Sequence, residues 1–117
     1  MIFVVATITA VSGRRNELLE VFGRYVQAFL SEPGCLDIVL TTDASEAGPI
    51  QTPLGADSFL AVERWASVGT MRAHLRSAYS AALMREAGGM LAASEVRVLQ
   101  PHANGAKLGL VRGGETA

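Results

Sequence analysis

Four side chains in the second half of the sequence are of types that move protons or stabilise anions: Glu63, Trp65, His74 and Arg85. Glu63 and Trp65 close the stretch "FLAVERW", which has strand character. His74 follows Trp65 by nine residues in "SVGTMRAHL", and Arg85 follows it by twenty. An imidazole, with an unperturbed pKa of about 6.5, suits general-base work at neutral pH. His74 comes three residues after Met71 and four before Ala78, so it borders the apolar stripe of a helix. An indole N–H can donate to a phenolate or peroxide oxygen, and a guanidinium can offset an anion. Each has a plainer reading: a core tryptophan, a satisfied structural histidine, a solvated arginine at a helix end. Glu63 shares a strand side with Phe59 and Trp65. It reads either as a second acid or base or as half of an ion pair with an arginine across a dimer.

The elements that must position these groups follow from periodicity. "IFVVATITAV", Ile2 to Val11, is β-branched and reads as a first strand. From Ser12 the period becomes helical: Leu18, Phe22, Tyr25, Val26 and Phe29 form one stripe, with Ser12 or Gly13 as the cap and Pro33-Gly34 as the stop. Cys35 to Thr42 is a second strand, with Leu36, Ile38 and Leu40 on one side and Asp37, Val39 and Thr41 on the other. Residues 43–57 form a long loop, either a lid or an insertion. Ser58 to Trp65 is a third strand. Ser67 caps a second helix that runs to Gly88-Gly89, and "EVRVLQP", Glu95 to Pro101, is a fourth strand. The order β-α-β-β-α-β predicts an α+β, ferredoxin-like fold: a four-stranded antiparallel sheet with both helices on one face. One domain spans 1–101. The extension 102–117, with an apolar patch at Leu108, Leu110 and Val111, is expected to order only in part or to pack on a partner.

Composition excludes several classes. Ten basic residues against eleven acidic ones, with no basic stripe, argue against nucleic acid as a partner. The longest apolar run, Met1 to Ala6, is too short to cross a bilayer and has no charged flank, so neither membrane nor signal peptide is expected. One cysteine excludes an internal disulfide and favours a reduced, cytoplasmic setting; with only two histidines it also argues against a zinc site.

The strands carry apolar residues on both sides: Val4 and Val5, Ile38 and Val39, Val62 against Phe59 and Trp65. Two helices cover one side only. The other would be an apolar patch of a kind monomers avoid. At about 25 cal/mol per Å² of buried apolar surface, pairing two such faces is favourable, which predicts a two-fold homodimer joined sheet to sheet.

The opening strand and helix "IFVVATITAVSGRRNELLEVF", the turn "SEPGCLDIVL", the segment "FLAVERWASVGTMRAHLRS" and the closing "EVRVLQP" together resemble the antibiotic biosynthesis monooxygenase (ABM) domain family. That family belongs to the dimeric α/β barrels and includes quinol monooxygenases. The resemblance implies oxidation of a quinol or polycyclic phenol by dioxygen (O2), with no cofactor, metal or flavin, in an apolar pocket between sheet and helices. It implies His74 as base, Trp65 as donor and pocket wall, and Arg85 as anion stabiliser. Glu63, Phe59, Thr7, Asp37, Met71 and Tyr79 are then expected to contact substrate. Two positions depart from the polyketide-oxidising members, which carry an asparagine where Ala61 stands and a tyrosine where Met71 stands. The haem-degrading branch is a poor match, since its axial histidine falls on Met84. A non-catalytic binding or dimerisation module, and an isomerase or lyase, are the rival readings, because a fold does not choose a reaction.

Overall fold

The computed structural model describes residues 1–107. Its elements are strand β1 (Ile2–Ala10), helix α1 (Arg15–Leu30), strand β2 (Cys35–Thr41), strand β3 (Ser58–Trp65), helix α2 (Val68–Leu75), helix α3 (Ala78–Ala87) and strand β4 (Leu91–Leu99). Short 3₁₀ turns occupy Gly48–Ile50 and Gly88–Met90. All strand pairs are antiparallel, and the sheet order is β2-β3-β1-β4. This is the α+β, ferredoxin-like arrangement expected from the sequence. The patch Leu108, Leu110 and Val111 lies outside the described residues.

β1 sets the two faces of the sheet. Ile2, Val4, Ala6, Ile8 and Ala10 are buried beneath the helices, and the residues between them are half-buried on the open face. Register carries this division across the sheet: Val4 sits opposite Glu63 and Val98, and Val5 opposite Val62 and Arg97. The helix-covered face therefore also carries Phe59, Ala61, Glu63 and Trp65, while the open face carries Thr7, Leu60, Val62 and Arg64. Between the layers lie two apolar clusters. The larger joins Ile8, Leu18, Phe22, Phe29, Phe59 and Leu83; the smaller joins Ile2, Val4, Trp65 and Met71. Trp65 has no exposed surface. Burying an indole of roughly 200 Å² contributes about 5 kcal/mol, which fixes the end of β3 against α2.

Four local expectations are corrected. The second helix is two helices. Ser77 takes an extended conformation, and its hydroxyl accepts the Ser80 N–H at 3.1 Å, so α3 starts afresh with its own cap. The first helix is not capped by Ser12 or Gly13: Arg14 stands at its N-cap without a side-chain cap bond, and the Gly13 N–H goes to the Asp57 carboxylate at 3.0 Å. The register of β2 shifts between Cys35 and Asp37, so Cys35 is opposite Trp65 and Leu36 turns outward. β4 begins at Leu91, four residues earlier than expected, because it pairs along almost the full length of β1. None of the helices among the described residues is long and apolar enough to cross a membrane.

Candidate active site

The approach of α2 to β3 brings the chemistry-bearing side chains together. Ser67 and Thr70 cap each other's backbone and set the start of α2. Two turns later His74 points inward, only 8% of its side chain exposed. Its ring stacks on the indole of Trp65, centroids 4.6 Å apart and planes inclined at 27°. The edge of Phe29 closes the other side at 4.5 Å. Nδ1 lies 3.1 Å from the Glu32 carboxylate, itself 13% exposed. The second Glu32 oxygen accepts the Ser77 hydroxyl at 3.2 Å, and the Ser80 hydroxyl donates to the His74 carbonyl at 2.6 Å. The break between α2 and α3 is thus part of the site, because it supplies the two serines that clasp Glu32 and the His74 backbone.

Beyond His74 lies a cavity of about 600 Å³ between sheet and helices. Phe22, Val26, Ile38, Leu40, Ala61 and Leu83 make its wall apolar; Glu63, His74 and Arg76 are its ionisable members. A shallower groove of about 450 Å³ on the outer side is lined by Glu32, His74, Ser77 and Tyr79. The indole N–H of Trp65 donates to the Glu63 carboxylate at 2.8 Å. One buried indole therefore touches both cavity groups. Nearby carboxylates leave their mark on Cys35: burial, then the charges of Glu63, Glu32 and Asp37, push its thiol up to about 11. Among the described residues, no three His, Cys, Asp or Glu side chains converge as a set of metal ligands.

The family model for "Antibiotic biosynthesis monooxygenase" matches residues 1–86. The chain belongs to the antibiotic biosynthesis monooxygenase family. An Escherichia coli (strain K12) relative named "Probable quinol monooxygenase YgiN" is 28% identical over 103 residues, covering 86% of this chain and 98% of that protein. A crystal structure of a Pseudomonas aeruginosa protein superposes with a TM-score of 0.71 at 22% identity, covering 87% of this chain and 94% of that one. The solved structure of Rv0793 from Mycobacterium tuberculosis gives a TM-score of 0.71 at 19% identity, covering 90% of this chain and 98% of that one. These likenesses share the fold.

Within this family frame the predicted site residues divide. His74 and Glu63 line the cavity. Trp65 is not among the wall residues; it is fully buried and its N–H is bonded to Glu63. Phe59 and Met71 are core: Phe59 packs edge-to-face on Phe22 at 5.3 Å, and Met71 joins the Trp65 cluster. Tyr79 is exposed on the outer groove. Thr7 and Asp37 lie on the opposite face of the sheet, where Asp37 pairs with Arg64. Arg85 is exposed on α3, its charge felt by Tyr25 and Glu86, and the cation in the cavity wall is Arg76. Glu63 points under the helices, away from the open face of the sheet. Residues 43–57 contribute nothing to the cavity wall; Asp43 ties that loop to itself, and Arg15 and Gly13 tie it to the start of α1. Glu32 is the residue that spacing did not single out, although the quoted turn "EPGC" contains it.

Proposed function

We propose that this protein is a monooxygenase that oxidises a quinol or polycyclic phenol with dioxygen, without metal or flavin. One observation carries the reading: a buried imidazole, held at Nδ1 by Glu32, forms part of the wall of an apolar cavity of about 600 Å³. That volume suits a two- or three-ring aromatic. The carboxylate favours a proton on Nδ1 and leaves Nε2 with its lone pair, which is the form a general base needs. Family membership and the quinol monooxygenase name of the E. coli relative support the same chemistry.

His74 takes a proton from the electron-rich substrate, and the resulting anion passes one electron to dioxygen. The substrate radical and superoxide combine into a carbon-bound peroxide. Cleavage of the O–O bond leaves one oxygen in the product as a carbonyl and releases the other as water. The substrate supplies all the electrons, so no outside reductant enters. Arg76 offsets the anion, and the apolar wall keeps water from quenching it.

The working unit is a homodimer closed through the open sheet face, where no helix among the described residues covers Phe3, Val5, Val39, Leu60 and Val62. A cytoplasmic setting fits the lone thiol. Dioxygen uptake by metal-free protein on a panel of reduced quinones and anthrones tests the function. Wild type consumes dioxygen, and His74→Ala slows it at least about tenfold, the lower range of a lost general base. Product formed under nitrogen, or saturable binding without turnover, overturns the reading in favour of an isomerase or a binding module.

A further inference from the structure

We infer that Glu63 is the second proton acceptor of this site, removing the carbon-bound hydrogen that is lost as the peroxide O–O bond breaks. The inference rests on the oxygenase reading. Glu63 stands in a cavity wall whose other ionisable members are His74 and Arg76, and among the described residues no cation lies within ion-pair distance of it; the neighbouring Arg64 turns to the opposite face and holds Asp37. A carboxylate that lines a cavity and is not tied up in an ion pair is placed to exchange a proton with a molecule bound there. Its orientation is fixed, since Oε1 accepts the N–H of an indole with no exposed surface.

The reaction needs two acceptors on different sides of the substrate. A methylene carbon that becomes a carbonyl loses two protons. His74 takes the first and hands it to the distal oxygen of the peroxide, giving a hydroperoxide. The second proton leaves from a different bond of the same tetrahedral carbon while the O–O bond breaks. One group cannot hold the distal oxygen and reach that hydrogen together. His74 comes from α2 in the helical layer, and Glu63 from β3 in the sheet, so a flat substrate in the cavity lies between them. Glu63 takes the proton, the C–H electron pair becomes the carbonyl π bond, and hydroxide departs. Once the flat product has left the space between the two layers, Glu63 gives up its proton and the hydroxide becomes water, which then contains both hydrogens. Anthrone plus dioxygen gives anthraquinone plus water, and both bases are restored.

Single-turnover oxidation of anthrone by metal-free protein, with dioxygen and anthraquinone followed in parallel, is the test. In the wild type the two traces coincide. Glu63→Gln keeps an acceptor for the indole N–H but cannot take a proton. It is expected to consume dioxygen within about threefold of the wild-type rate, while anthraquinone lags at least about tenfold and a hydroperoxide is detected with iodide. His74→Ala slows dioxygen consumption itself. Glu63→Asp, which retains a carboxylate, recovers part of the product rate and guards against a folding defect in the glutamine variant. Coincident traces in Glu63→Gln, whether at wild-type speed or slowed together, overturn the assignment. If the wild type consumes no dioxygen with anthrone or any reduced quinone, the oxygenase reading fails and the assignment falls with it.

Discussion

Glu32 shows how a side chain outside the obvious motif governs one inside it. Its carboxylate fixes the Nδ1 side of His74, so its loss should lower turnover more than binding. Glu32→Gln is expected to reduce kcat by about tenfold or more with KM changed less than threefold, and to shift the pH profile of kcat. An unchanged pH profile would show that Glu32 only supports the fold. Residue type and helical or strand position made His74 and Glu63 legible in the sequence. Glu32 was not, because its contact with His74 spans 42 residues and no period links a turn to a distant helix. Trp65 was legible as a site residue but not in its role, since hydrogen-bond partners depend on register. Cys35 provides a pH test. Its thiol is displaced from 9.0 to about 11, by burial first. In that interval the unfolded chain loses its proton while the folded chain keeps it. The stabilisation tied to the protonated thiol is therefore complete below 9.0 and disappears as pH rises to about 11. Urea midpoints of the wild type should fall across this window relative to Cys35→Ala, and alkylation by iodoacetamide should stay slow until its upper end.

At the scale of elements, the turn between α1 and β2 carries a strict demand. Gly34 has φ +81°, and a Cβ there would lie 2.5 Å from the Thr70 side chain that caps α2. Gly34→Ala should destabilise the protein by more than about 1 kcal/mol in chemical denaturation, through both the left-handed backbone and the displaced cap. Glu32, two residues upstream, would lose its place as well, so activity should drop with stability. Ser77→Ala removes the α3 cap and one of the two Glu32 contacts, at a cost of about 1 kcal/mol. Strands β1 and β3 and helix α1 were legible because their apolar periods are sustained. The break at Ser77 was hidden in a run of good helix formers, where a single capping hydroxyl decides. The early start of β4 was hidden in small residues of weak strand preference, where pairing with β1 decides.

For the whole molecule, the open sheet face is the surface on which the proposed dimer is tested. Val62 lies at its centre, opposite both Val5 and Val39. Sedimentation at low micromolar concentration is expected to give a dimer for the wild type and a monomer for Val62→Lys; a monomeric wild type would contradict the assembly. The sequence made this face legible, since the strands carry apolar residues on both sides while the helices cover only one. The family resemblance implied a pocket between sheet and helices but not its shape, which depends on where α2 stops and α3 resumes. The chain has a single tryptophan, and it stacks on His74 and bonds to Glu63. Tryptophan emission therefore reports from the middle of the candidate site. Aromatics bound in the cavity should dim or shift tryptophan emission without any added dye.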